Sequence, residues 1–269
     1  MVGANGMYYE TVGNNNNRSW LLLLHGMMSS TMHWTLNRER LSQAHNLILV
    51  DLPGHGKSGP LKNDGDWHPD AMVARLDDIR AALGPARWHL CGQSFGAGIT
   101  LRYALTHPDR VIAQAFTNSR TSFRDETDPK EAELRAVRVA RIRTNGHDAL
   151  RQEHFHPRFA RRFPPELRDA MSKATEVMDL ETYVTLIERA VPASSLRGRD
   201  ADPTVPTLLI NGRHERNFQP YRDALEQAWP SLEIRDIDGG HSVNIENPET
   251  FDRVLLDFLA RHEAARPQP

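Results

Sequence analysis

Five short stretches of the chain, at 21–24, 47–50, 88–91, 111–116 and 208–210, are apolar almost without interruption. A strand with one wet face alternates apolar and polar residues. A continuous run marks a strand covered on both faces, as in a mostly parallel sheet with helices between its strands. An earlier stretch, 7–12, also reads as a strand, and the asparagines at 14–17 as a polar turn. Helical spacing predicts covers at 70–83, 99–107, 221–229 and 249–261. In the last of these Phe251, Val254, Leu255, Phe258 and Leu259 form one stripe, which is the pattern of core packing. The expected class is α/β.

The pattern breaks over 121–206. This stretch has few β-branched runs and many Ala, Arg, Glu and Leu residues. Prolines stand at 129, 157, 164, 165 and 192. Read as breaks, they predict several short helices. The division is therefore a core formed by 1–120 and 207–269, with a helical insertion at 121–206.

A chain of 269 residues can bury one large core and carry such an insertion. Its net charge of -2 argues against a nucleic-acid or membrane-surface partner. The longest apolar run, 20–24, is far too short to span a bilayer. Residues 1–7 lack the basic region and apolar core of a secretory signal, and 266–269 reads as a frayed tail. The single cysteine, Cys91, excludes an internal disulfide and suits a reducing cytoplasm. It lies within an apolar strand and reads as a small buried residue rather than a nucleophile.

The chemistry centres on Gly92-Gln93-Ser94-Phe95-Gly96. It follows a strand and opens a helix, so Ser94 sits at the apex of a sharp turn. Only small flanking residues permit such a bend. The Phe95 N–H lies at the helix N-terminus, where free donors and the dipole favour an oxyanion. Glycine and serine are common in turns, so this motif needs company to carry weight.

That company is present. Leu21-Leu22-Leu23-Leu24-His25-Gly26, with Ser30 and Trp34 beyond it, Leu47 to Ser58 with its Asp51-Leu52-Pro53-Gly54-His55-Gly56 turn, the elbow, and Gly239-Gly240-His241 before a final amphipathic stretch follow one another in order. In these motifs the sequence resembles the α/β-hydrolase family. The resemblance implies a mostly parallel central sheet flanked by helices, with the insertion at 121–206 forming a cap over the active site. It implies Ser94 as nucleophile and His241 as its base. His25 and His55 lie in motifs where the family's histidines are structural. The family's acid usually stands three residues beyond a glycine after the penultimate strand. Here that position holds Glu215, after Gly212, rather than aspartate. Glutamate serves equally if its carboxylate faces the imidazole. An alternative acid position, after the strand preceding the cap, holds Asn118 and Ser119, neither ionisable. Asp238 reads as a strand end or turn. By the same resemblance the backbone N–H groups of Met27 and Phe95 form the oxyanion hole, and the Met27 and Met28 side chains line an apolar pocket.

Two further features bear on specificity. Residues 135–168 contain nine arginines against three acids. They read as a solvated helix face, or as a source of guanidiniums that hold a substrate carboxylate, with Arg138 and Arg141 as candidates. His154 and His156 form an H-x-H pair, but no cysteine or carboxylate cluster supplies a zinc pattern, and no dinucleotide or phosphate loop is present. Neither metal nor cofactor is expected. The expected activity is hydrolysis of a small carboxylic ester or lactone through an acyl-enzyme. The family resemblance also covers C–C bond hydrolases and lyases acting on keto acids, and non-catalytic small-ligand receptors.

Overall fold

The computed structural model describes residues 6–61, 63–198 and 202–263. The expectations for residues 1–5 and for the tail at 266–269 lie outside them. Seven strands, β1 (Tyr9–Val12), β2 (Trp20–Leu24), β3 (Asn46–Val50), β4 (Trp88–Gly92), β5 (Val111–Thr117), β6 (Thr207–Gly212) and β7 (Glu233–Ile237), form one sheet in the order β1-β3-β2-β4-β5-β6-β7. β1 runs antiparallel to β3, and every other pairing is parallel. Helices α1 (Arg38–Ala44), α2 (Pro69–Leu83) and α3 (Phe95–Thr106) connect the early strands. Between β5 and β6 lie α4 (Arg120–Phe123), α5 (Pro129–Arg151), α6 (Pro165–Glu176), α7 (Leu180–Thr185) and α8 (Val191–Ala193). The chain closes with α9 (Gln219–Ala228), α10 (Val243–Glu246) and α11 (Pro248–Glu263).

The continuous apolar runs are explained by the two faces. Leu22, Leu24, Ile48, Val50 and Leu90 pack on one face against Met72, Leu76 and Ile79 of α2 and Ile99 and Tyr103 of α3. Their neighbours Leu21, Leu23, Leu47, Leu49 and Cys91 pack on the other, against Leu41 of α1 and Phe251, Leu255 and Phe258 of α11. Each fully buried leucine of this kind contributes about 2 kcal/mol, before the entropy of ordering it.

Three elements depart from the sequence expectation. β7 was not foreseen: it is an edge strand of sequence Glu-Ile-Arg-Asp-Ile, mostly open to solvent, so no apolar run marks it. α1 was not foreseen either, because only Leu41 of its seven residues is buried. The third is α5, whose 23 residues are two helical segments meeting at Gly146, the first longer than the short helices expected. Its Pro129 occupies the first helical position, where the missing N–H costs nothing, and the Asp128 carboxylate caps it by accepting from Lys130 N at 2.9 Å. Pro165 opens α6 in the same way. α5 kinks at Gly146, whose φ of 57° lies outside the helical region. One face of α5, including Val139, Ile142 and Leu150, packs on Tyr183, Val184 and Ile187. α7 continues through a π-helical turn at Leu186–Ala190 into α8.

Candidate active site

Ser94 stands between β4 and α3 with φ 52° and ψ -118°, a left-handed conformation that side chains other than glycine rarely adopt. The turn is held from all sides. A Cβ on Gly96 would lie 2.7 Å from the Leu24 carbonyl oxygen and closer still to that of His25. One on Gly92 would meet the Gly96 carbonyl. The Ser119 hydroxyl, at the end of β5, donates to the Ser94 carbonyl at 2.7 Å. Buried strands on either side thus fix a backbone that Ser94 alone would not choose.

Two other loops at the same edge of the sheet reach this turn. After β7, Gly239 and Gly240 lead into His241. The Gly240 amide donates to the Glu246 carboxylate at 2.7 Å, and Gln93 Nε2 donates to the His241 carbonyl at 3.1 Å. After β6, the Gly212 amide and carbonyl pair with the Asn118 side chain at 3.0 Å each, tying the ends of β5 and β6 together. Glu215 follows, its amide on the Gly212 carbonyl and its own carbonyl accepting from Gln219 Nε2. His241 Nε2 lies 2.9 Å from Ser94 Oγ, and His241 Nδ1 lies 2.9 Å from Glu215 Oε1. Confinement by protein lowers the imidazole pKa, but the charge and hydrogen bond of Glu215 outweigh it and raise the pKa above its ordinary value. Burial raises the Glu215 pKa, and the His241 charge and hydrogen bond overcome it and hold the carboxyl below the usual range. Such an arrangement can draw a proton from a hydroxyl and stabilise the resulting imidazolium.

The other histidines and acids near these motifs are committed elsewhere. Burial pushes His25 down to about 4. Its Nε2 accepts from the Leu52 amide at 3.0 Å and its Nδ1 faces the Gly26 carbonyl. His55, lowered by burial to about 3, faces the Pro53 carbonyl. Asp238 is exposed and binds Arg213 and His214, away from His241. Burial drives the Cys91 thiol pKa upward, so it stays protonated.

Ser94, Phe95, Glu215 and His241 border a cavity of about 570 Å³, whose opposite walls come from the helical insertion. Met27 and Met28 both line it, and Met28 has φ 56°. Phe95 is the first residue of α3, where a backbone N–H has no partner within the helix. Of the two arginines singled out from sequence, Arg138 lines the cavity and Arg141 is not among the lining residues. Both pair with the buried Glu153, one carboxylate shared by two guanidiniums, Arg138 Nε at 2.6 Å and Arg141 at 2.5 Å. Arg138 also donates to the Tyr183 hydroxyl at 2.6 Å. Most of the remaining arginines between 135 and 168 form surface pairs, Arg143 with Glu188 and Arg151 with Asp148 and Glu176 among them. His156 is occupied by Thr175 Oγ1 and the Arg158 amide.

Residues 19–248 match the family model described as alpha/beta hydrolase fold. The chain belongs to this family. Among curated relatives, the α/β-hydrolase is 28% identical over 251 residues to a pimeloyl-[acyl-carrier protein] methyl ester esterase of Nitrosospira multiformis, covering 88% of this chain and 89% of that protein. It is 26% identical over 275 residues to a 2-hydroxy-6-oxononadienedioate/2-hydroxy-6-oxononatrienedioate hydrolase of Burkholderia vietnamiensis, covering 95% and 91%. An enol-lactonase from Burkholderia xenovorans LB400 shares the fold with a TM-score of 0.81 at 24% identity, over 94% of this chain and 96% of that one.

One cavity residue of this α/β-hydrolase had no sequence signal. Arg120 opens α4 directly after the end of β5 and lines the cavity. Its nearest acid, Glu131, is 3.8 Å away, so it is more loosely held than Arg138. An isolated arginine after a strand carries no pattern; only the approach of the insertion reveals its position.

Proposed function

We propose that this chain is a serine hydrolase of a small carboxylic ester or lactone, acting through Ser94, His241 and Glu215. The observation that carries the reading is the unbroken chain from Ser94 Oγ through His241 to Glu215, opening on a cavity large enough for a small substrate. In the acylation step His241 Nε2 takes the Ser94 proton as Oγ attacks the carbonyl carbon, while Glu215 stabilises the imidazolium. The backbone N–H groups of Met27 and Phe95 receive the oxyanion. Collapse breaks the ester C–O bond, and His241 returns its proton to the leaving alkoxide. Water, deprotonated by the same imidazole, then hydrolyses the acyl-enzyme. For a lactone the leaving hydroxyl stays attached to the acyl group. The helical insertion acts as a lid that selects the substrate, and Arg120 favours one bearing an anionic group near the scissile carbonyl. The names of the relatives, an ester esterase and a hydrolase of a dioate, support this class of chemistry. The test is a panel of p-nitrophenyl esters and lactones with Ser94→Ala as control, together with a fluorophosphonate probe. Turnover that vanishes in Ser94→Ala, with probe attached to Ser94, is expected. Undiminished turnover in a folded Ser94→Ala protein overturns the serine mechanism.

A further inference from the structure

Ser94 follows the carboxyl end of β4. At the opposite, amino-terminal edge of the sheet three ligating side chains converge from separate elements. His45 terminates α1 just before β3, His89 is the second residue of β4, and Glu263 is the last of α11. Strand pairing brings the first two together. β2 lies between β3 and β4, with Trp20 opposite Asn46 and Leu21 opposite His89, so the two imidazoles flank the start of β2, their ring centroids 5.3 Å apart. The end of α11 then delivers the carboxylate. A ring nitrogen of His45, a ring nitrogen of His89 and a Glu263 oxygen all lie within 4.8 Å of one another. Glu263 Oε1 is 2.8 Å from His89 Nε2 and 3.7 Å from His45 Nδ1. Ser19 Oγ is 2.8 Å from His45 Nδ1 and also bonds Glu263.

We propose that His45, His89 and Glu263 form a zinc site, with Ser19 or a water as fourth ligand. Tetrahedral zinc with nitrogen and oxygen ligands at about 2.0–2.1 Å places those ligands roughly 3.3 Å from one another. The distances of 2.8 and 3.7 Å bracket that spacing, so small side-chain adjustments suffice. Two imidazoles and a carboxylate are a donor set suited to this ion. The histidines are buried, whereas the Glu263 side chain is 30% exposed and offers a route of entry. The ion would be structural: it ties the last helix to two central strands at the edge of the sheet remote from Ser94.

The experiment uses the full-length protein stripped with EDTA and dialysed against zinc, with metal content and melting temperature as readouts. Wild type should retain one zinc per chain. Its melting temperature should rise by about 5 °C at a hundredfold excess over Kd. Cobalt in place of zinc should give the intense visible bands of a tetrahedral site. Glu263→Gln and His45→Gln should each lose the bound zinc, the cobalt bands and the thermal shift. His45 and His89 are both buried and their replacement risks the fold, so Glu263→Gln, at the part-exposed ligand, carries the test if His45→Gln fails to fold. Esterase activity should be the same with and without zinc. Wild type that holds no zinc, or variants that hold as much as wild type, overturn the proposal. A stability that depends on pH but not on zinc would mark an ion-pair cluster only, and overturns it equally.

Discussion

Replacing Glu215 by Gln keeps the size of the side chain and removes its charge. In the transition state the proposed base carries a positive charge 2.9 Å from Glu215 Oε1. At an effective dielectric of about 20, a unit charge at that distance stabilises the imidazolium by about 6 kcal/mol. The His241 side chain is 39% exposed, so water screens part of this. About 4 kcal/mol remains, or roughly a thousandfold in kcat. The pH profile supplies a second, independent sign. His241 must be neutral to accept the serine proton, and Glu215 raises its pKa. Activity should therefore fall as pH drops through a value above the ordinary 6.5 for histidine. In Glu215→Gln the main raising charge is gone, leaving only the weaker pull of Glu246 against burial, so the acid limb of kcat/KM should move to lower pH even as the plateau collapses. Glu215→Asp keeps the charge but shortens its reach, and should retain more activity than Glu215→Gln. The assay is steady-state hydrolysis of an activated ester from pH 5 to 9, with circular dichroism to confirm folding. A folded Glu215→Gln enzyme within threefold of wild type, or with an unmoved acid limb, refutes the assignment.

Ser94→Ala should lower kcat by about a thousandfold or more with the melting temperature nearly unchanged, measured by ester turnover and calorimetry. Gly96→Ala should destabilise the fold by about 2–3 kcal/mol in urea denaturation, because its Cβ meets backbone carbonyls of β2 that cannot yield. Glu153→Ala leaves Arg138 and Arg141 without their shared carboxylate, and should cost about 2 kcal/mol by the same assay, a full buried-pair penalty being reduced by the exposure of Arg141. Arg120→Met should raise KM about tenfold for an anionic ester and leave a neutral analogue unchanged; an equal effect on both would remove Arg120 from substrate recognition.

What could be read from sequence follows from how each feature is encoded. Strands such as β2 and β3 announce themselves because burial on two faces demands unbroken apolar residues. β7, charged and paired on one side only, has no such demand. The elbow and the histidine loop were legible as tight turns from their glycines, Gly92 and Gly96 being pressed by backbone and Gly239 and Gly240 by the side chains of Val243 and Glu246. The family resemblance pointed to Glu215 through its position after Gly212, and its carboxylate lies 2.9 Å from His241. The insertion was harder. Pro129 and Pro165 look the same whether they break a helix or begin one: Asp128 caps the helix that Pro129 opens, whereas Pro164 before Pro165 offers no side-chain cap. The arginines of α5 gave a composition without a direction. Glu153, one carboxylate buried between two of them, decides where Arg138 and Arg141 point, and it stood out in no pattern.

The helical insertion leaves the sheet at Thr117 and returns at Thr207, on strands that are direct neighbours. Its two ends are therefore held close together whatever lies between them. Closing a longer or shorter loop across that gap changes the entropy only slowly. None of the three loops that carry Ser94, Glu215 and His241 belongs to it. On the proposed reading that this segment selects the substrate, specificity is open to redesign by transplanting another roof onto the same chassis. The graft has fixed seams. Leu186, Ala190 and Val191 are built into the main core, and Arg102 of α3 grips the Ala193 and Ser195 carbonyls. A chimera that preserves this returning limb must also supply a cover for Ile245, on which Phe163, Leu167 and Met171 pack.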